Sequence, residues 1–383
     1  MVMLKMFRRG GEMSTIQSLF KKGIIMTLIL ILLVCFSMPV RTYAQSRAVV
    51  AHCNEYITLR KSNSTNAAAI TRIPLGEEVT VLSYTSNGFA KVQYFAYTGF
   101  VLDKYLEPWK ETNYKPRTKT KSGYPVYCGN YGTAKRIEGR TVVVAIYAND
   151  ATTSWNFKRE ADIDQRLINR KNMSIACAWL TEQARRYKSD PGGFAWDWRD
   201  EKGLYYKHTF SEDILKGEGQ AAIRKYINSS IPTKDLLEKF KADNIIYCVY
   251  LNAPNSDDYR SWCCMCDNSV AADKYQAEIC VFVPYGRGRK NPPAVFAHEM
   301  LHCFGAYDLY ETDPDSPITQ KYVDHLMSNQ PNDLMNRCFF SDYDLITNVF
   351  SDVDAYYVGL TGPCADVKKW GLGKSQFERF EEN

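Results

Sequence analysis

Histidine is scarce in this chain, with five residues in 383. Any close pair of histidines is therefore informative. Long apolar runs are also rare: one, Gly23 to Met38, spans 16 residues, short of the roughly 20 that cross a bilayer comfortably. A basic surplus is missing from the body of the protein. The formal charge of +5 resides in residues 1–44, which hold six cations and one anion, and the remainder carries 42 of each. Nucleic-acid binding needs a basic footprint, and this balance argues against one. There is no internal repeat and no long low-complexity segment.

The short apolar run has a recognisable setting. Lys21-Lys22 precede it and Thr42-Tyr43-Ala44 follow with small residues, the pattern of a cleavable signal peptide over 1–44 rather than an anchor. Val34 is too large for a lipidation box at Cys35, and Arg8-Arg9 lies too far from the run for a twin-arginine signal. The expectation is a secreted, extracellular chain with no membrane span after cleavage, possible wall association included. Twelve cysteines are present, one of them in the signal, so the exported chain would keep an odd number and at least one unpaired thiol. Trp262-Cys263-Cys264-Met265-Cys266 reads as loop cysteines, some in disulfides, rather than a second metal site, since no histidine lies nearby.

Residues 45–108 read as a small all-β unit. Tyr56-Ile57-Thr58-Leu59-Arg60 alternates, Leu75-Gly76-Glu77-Glu78 turns into a strand, and Asn87-Gly88 signals a hairpin. Five or six short strands suggest a barrel. Leu59-Arg60, Pro74-Leu75-Gly76, Val79-Thr80-Val81, Phe89-Ala90-Lys91-Val92 and Thr98-Gly99-Phe100-Val101 resemble the bacterial SH3-like domain. That resemblance implies a cell-wall peptide or polymer as a possible ligand, or a module packed on an enzyme with no ligand of its own.

Residues 109–140 hold eight cations and two anions and read as a basic linker, which could lie along anionic wall polymers or be simply solvated. Residues 141–365 then alternate between strands and helices, and 366–383 read as a C-terminal tail. Strands are expected near 142–147, 244–250 and 278–283, with a helix around 163–179. Asn291 is placed to cap a helix beginning Pro292-Pro293.

That last helix carries the chemistry. His298-Glu299-Met300-Leu301-His302 sets two imidazoles one turn apart on one face, where both can hold a zinc ion. By composition, such a pattern arises by chance roughly 0.003 times per chain of this length. Glu299 is placed as the base that takes a proton from the attacking water and returns it to the leaving amine. Gly305 permits a sharp turn after the helix, bringing Asp308 within reach as the third ligand; Glu311, Asp313 or a residue farther downstream is the alternative. His208 and His325 read as surface or hydrogen-bonded residues.

His298-Glu299-x-x-His302-x-x-Gly305-x-x-Asp308 resembles the Asp-ligated branch of the metzincin metalloendopeptidases, similar to snapalysin and the immune-inhibitor-A type. The resemblance implies a methionine turn beneath the zinc, best matched by Leu334-Met335-Asn336 and less well by Leu326-Met327-Ser328. It also implies a C-terminal helix over 341–358, and a substrate laid against the edge strand before the helix, a role for which 278–283 is placed. Arg337 stands where many members carry a tyrosine. Cys128-Gly129-Asn130 matches three letters of a latency motif, without its surroundings.

The expected architecture is thus multidomain: a small all-β SH3-like barrel, then an α+β catalytic domain with a mixed sheet and an active-site helix. The expected activity is zinc-dependent hydrolysis of protein or peptide substrates. The alternatives are a wall-anchored cell-wall peptide hydrolase with the same machinery, or a non-catalytic adhesive protein with a structural zinc.

Overall fold

The computed structural model describes residues 45–111, 115, 133–134, 136–189, 192–198, 201–216, 218–264, 277–312 and 316–381. The signal segment, most of the basic linker with Cys128, and Asp313 lie outside the described residues.

The N-terminal unit is a seven-stranded antiparallel sheet formed by β1 (Ser46–Val50), β2 (Tyr56–Arg60), β3 (Ala69–Pro74), β4 (Glu78–Tyr84), β5 (Phe89–Tyr94), β6 (Tyr97–Leu102) and β7 (Leu106–Pro108). Its order is β3-β2-β6-β5-β4-β1-β7. Alternating residues such as Ile57, Leu59, Val79, Val81, Val92 and Val101 fill its core, as a period of two on a half-buried sheet requires. Pairing of β1 with β7 joins the two ends of the segment and gives one strand more than the turn signals suggested.

A second sheet dominates the rest of the chain. Its path is β10 (Tyr205–Thr209), β8 (Thr141–Asn149), β11 (Asn244–Leu251), β13 (Glu278–Phe282) and β12 (Trp262–Cys264), with the short β9 (Phe194–Ala195) on β8. β10, β8, β11 and β13 run parallel, and β12 is antiparallel to β13. β8 and β11 are buried along nearly their whole length, as parallel strands covered on both faces must be. The result is a mixed α/β region rather than the helices-apart arrangement that α+β implies.

One face of this sheet, with Val143, Ala145, Ile246, Cys248 and Phe282, packs against α1 (Glu160–Arg186) and α4 (Pro293–Cys303). The other face packs against α2 (Gln220–Ser230) and α3 (Thr233–Lys239). Met173, Ala176, Cys177, Leu180 and Ala184 recur at helical spacing along α1 and form its buried stripe. Beyond α4 the chain is shorter-grained: α5 (Gln320–Asn329), α6 (Leu334–Arg337), α7 (Asp352–Tyr357), α8 (Ala365–Trp370) and α9 (Gln376–Glu381).

Three expectations change. Residues 278–283 are not an edge: β13 lies between β11 and β12, so the antiparallel edge strand is β12. The helix expected over 341–358 is confined to α7, started by a Ser351–Asp354 capping box. Asn291 does not cap α4; its side-chain amide donates to Val283 O (2.8 Å) and Ser261 Oγ (3.1 Å), and Pro292 takes the cap position.

Parts that composition set aside as linker and tail are built into this core. Ala134 and Ile137 are buried, and Thr133 O accepts from Ile245 N at 2.9 Å. Gln376 of α9 donates to Phe304 O at 3.1 Å. The N-terminal unit rests on α1 through Ser174 Oγ, 2.8 Å from both Glu77 carboxylate oxygens, and on the segment before α7 through Thr71 Oγ1, which donates to Asp344 Oδ2 at 2.8 Å. No helix among the described residues is long and apolar enough to cross a membrane.

Candidate metal centre

All eleven residues of α4 are buried. Pro293 opens the helix, where a missing N–H costs nothing. Its exit is a Schellman turn: Gly305 N donates to His302 O (2.9 Å) and Ala306 N to Leu301 O (3.1 Å). Gly305 sits at φ +100°, and a Cβ there would lie 2.2 Å from Gln376 Nε2 and 3.1 Å from Tyr357 O. Only glycine satisfies both the left-handed backbone and the lack of room.

The turn does two things for the histidines. It places Ala306 O 2.9 Å from His302 Nδ1, and it sends the chain back so that Asp308 reaches the helix face. His298 Nδ1 lies 3.2 Å from Leu334 O. A carbonyl oxygen can only accept, so in each ring Nδ1 carries the proton and Nε2 presents a lone pair.

Those lone pairs converge. His298 Nε2 and His302 Nε2 are 3.3 Å apart, and Asp308 Oδ1 lies 3.1 Å from the first and 3.3 Å from the second. Ligands about 2.0–2.1 Å from a tetrahedral zinc stand roughly 3.3 Å from one another. The triangle therefore has the dimensions of three corners of a zinc site. With both rings neutral, two imidazole lone pairs would face a buried carboxylate oxygen that has no hydrogen-bond donor; a metal ion, or a proton on His302, relieves that. The residues fit the metal.

The electrostatics agree. Burial pushes the His302 pKa down, but the Asp308 carboxylate overrides it and the ring rises to about 9. Burial would raise Asp308, yet His302 and His298 hold it well below the usual carboxylate range. The pocket favours positive charge. Glu299 is 5% exposed, and burial raises its carboxyl pKa against the pull of His298 and His302. A base shifted toward neutrality suits proton transfer near pH 7.

Of the two methionines that fit the expected turn, Met335 is the one in the core. It is fully buried, whereas Met327 is 47% exposed on α5. The Leu334–Met335 pair ties the centre together, since Leu334 O faces His298 and Met335 O accepts from Leu309 N at 3.0 Å, next to Asp308. Asp333 accepts from Met335 N at 2.9 Å to start α6. Burial and the Asp333 charge push the Asp354 carboxyl far above the usual range.

His208 stacks on Tyr226 at 3.8 Å and His325 packs against Trp370 at 4.6 Å, away from the triangle. One residue that the motif letters did not single out is Tyr310. Its ring lies 6.4 Å from that of His298, it is 39% exposed, and burial together with the nearby Asp308 charge raises its phenol pKa. The signal available was its position two residues after Asp308. The Asp308 side chain is itself 30% exposed, so the triangle opens to solvent. A cavity of about 610 Å³ lies elsewhere, lined by Glu77, Trp109, Ser174, Trp196 and Trp198. It holds no converging ligand set, and its size alone gives it no catalytic role.

Comparison with known proteins is informative at one end of the chain. No curated protein matches the sequence. Two solved structures from Trichomonas vaginalis resemble short stretches: NlpC1 at 20% identity, covering 19% of this chain and 27% of that one with a TM-score of 0.17, and NlpC2 at 17%, 19%, 32% and 0.16. The chain thus spans less than a third of either, and likenesses this slight carry no argument. The bacterial SH3 domain family matches residues 55–107, which is the segment from just before β2 into β7. The N-terminal β unit of this protein is a bacterial SH3 domain.

Proposed function

We propose that the chain is an exported zinc-dependent endopeptidase of the Asp-ligated metzincin type. The observation that carries the reading is the His298–His302–Asp308 triangle, with edges of 3.1–3.3 Å, beside the buried Glu299. Zinc held there would supply a Lewis acid that lowers the pKa of water toward about 7 and polarises the scissile carbonyl. His298, His302 and Asp308 would hold the ion. Glu299 takes a proton from the attacking water and passes it to the leaving amine. The backbone of a substrate can add to the edge strand β12, whose outer side has no strand partner among the described residues.

A structural zinc in an adhesive protein would not need Glu299, and it would not leave an exposed approach at Asp308 and Tyr310. The bacterial SH3 domain favours a second reading of the substrate, since such modules commonly bind cell-wall material. In that case the same machinery cuts wall peptides. Purified protein offered an unfolded protein, a peptide library and peptidoglycan, each with and without a chelator, separates the readings. Chelator-sensitive cleavage of peptides supports the endopeptidase, and cleavage of peptidoglycan alone supports the wall hydrolase. Cleavage of none leaves the adhesive protein.

A further inference from the structure

Three thiols meet behind the zinc-motif helix. Cys263 lies on β12, Cys280 stands directly opposite it on β13, and Cys303 ends α4 immediately after His302. Cys303 Sγ is 3.4 Å from Cys280 Sγ and 3.6 Å from Cys263 Sγ, and the three sulfurs all lie within 4.8 Å of one another. Cys280 and Cys303 are buried, whereas Cys263 is partly exposed. Cys280 Sγ also donates to Glu299 O at 3.4 Å. The cluster thus joins the sheet edge to the helix that carries the metal ligands.

We propose that Cys263, Cys280 and Cys303 form a thiol–disulfide exchange site for small-molecule disulfides, whose oxidised form bonds α4 to the sheet edge.

The surroundings separate this from a second metal site. Three thiolates around a divalent cation would leave a net negative charge in an apolar pocket. The charged side chain acting on Cys263 and Cys303 is Glu278, which has the same sign. Among the described residues no fourth ligand joins the three. A disulfide buries no charge.

Exposure sets the order of events. Burial raises the pKa of all three thiols well above the ordinary value, so exchange is slow: Cys263 loses its proton as its sulfur attacks a small disulfide RSSR, the S–S bond breaks, a mixed disulfide forms and one RSH leaves with that proton. Cys303 then attacks the Cys263 sulfur, forming Cys263–Cys303 and expelling the second RSH. Two protein thiols lose two electrons and two protons, and RSSR becomes two RSH. Cys280 can next attack Cys303, moving the bond to Cys280–Cys303 and returning Cys263 to a thiol with no further oxidation. Each product bonds the motif helix to β12 or to its inner neighbour β13. An antiparallel partner directly opposite and a third thiol in contact supply the attacking and resolving groups.

The test treats the reduced full chain with glutathione disulfide and reads intact mass, a peptide map and thermal unfolding. The expected result is a loss of 2 Da located to a Cys263–Cys303 or Cys280–Cys303 peptide, with a Tm higher than that of the reduced protein. Cys303→Ser should stop at a glutathione adduct on Cys263 or form only Cys263–Cys280, with the Tm gain lost. If Cys303→Ser does not fold, Cys263→Ser should retain slow formation of Cys280–Cys303 in its place. A bond confined to other cysteines, no reaction at Cys263, or uptake of a second zinc that protects these thiols would overturn the proposal. None of these readouts depends on peptidase activity.

Discussion

His302 donates its Nδ1–H to the carbonyl oxygen of Ala306 at 2.9 Å, across the glycine turn that ends its own helix. The residue that aims the second histidine is therefore part of the device that brings Asp308 back to the helix. Helix exit and ligand orientation are one structure.

Gly305→Ala tests that coupling. The new side chain meets a left-handed φ, Gln376 Nε2 and Tyr357 O together. The expected cost is about 1–3 kcal/mol of stability, read by denaturant unfolding. Zinc affinity should fall at the same time, because His302 loses its acceptor geometry. A variant that unfolds more easily yet binds zinc as tightly as before would separate the two roles.

Asp308→Ala should weaken zinc binding by more than the roughly 10–100-fold that loss of an outer-shell hydrogen bond costs. Tyr310→Phe removes the hydroxyl whose titration Asp308 affects, and a loss no larger than that range is expected. Glu311→Ala should leave affinity unchanged. Competition titration with a chromophoric chelator ranks the three; a large effect at Glu311 would reassign the third ligand.

Stability should also depend on pH through Glu77, buried between the SH3 domain and α1. Burial raises its carboxyl pKa from 4.5 to about 7, against hydrogen bonds from Tyr94 and Ser174. The folded state therefore holds a proton that the unfolded state releases near pH 4.5. This contribution is fully present below pH 4.5 and is lost as pH rises to about 7, a change on the order of 3 kcal/mol. Glu77→Gln should match wild type near pH 4, exceed it at pH 8 and flatten the profile between. An unchanged difference in unfolding free energy across that range would contradict the assignment.

The legible parts of the sequence were those in which one short pattern dictates one geometry. Histidines four apart share a helix face wherever that helix lies, and the β-branched run Val142–Val144 is a buried strand in any sheet. Gly305 could be read because a turn that tight has few chemical solutions. Strand order was not legible: nothing in Glu278–Phe282 tells that Trp262–Cys264 pairs outside it, so β13 was expected at the edge. The thiol cluster was hidden for the same reason, since its three members are joined by tertiary packing over 40 residues of chain. Thr133–Ile137 carries a basic composition that masks the buried Thr133, Ala134 and Ile137, and Gln376 acts only because α9 returns beneath Phe304.

The most direct test of the central claim is Glu299→Gln, which preserves shape and removes the base. Zinc content should stay at that of wild type while kcat on an unfolded protein substrate falls by about 10²–10⁴-fold. Unchanged hydrolysis by zinc-loaded Glu299→Gln would contradict the account.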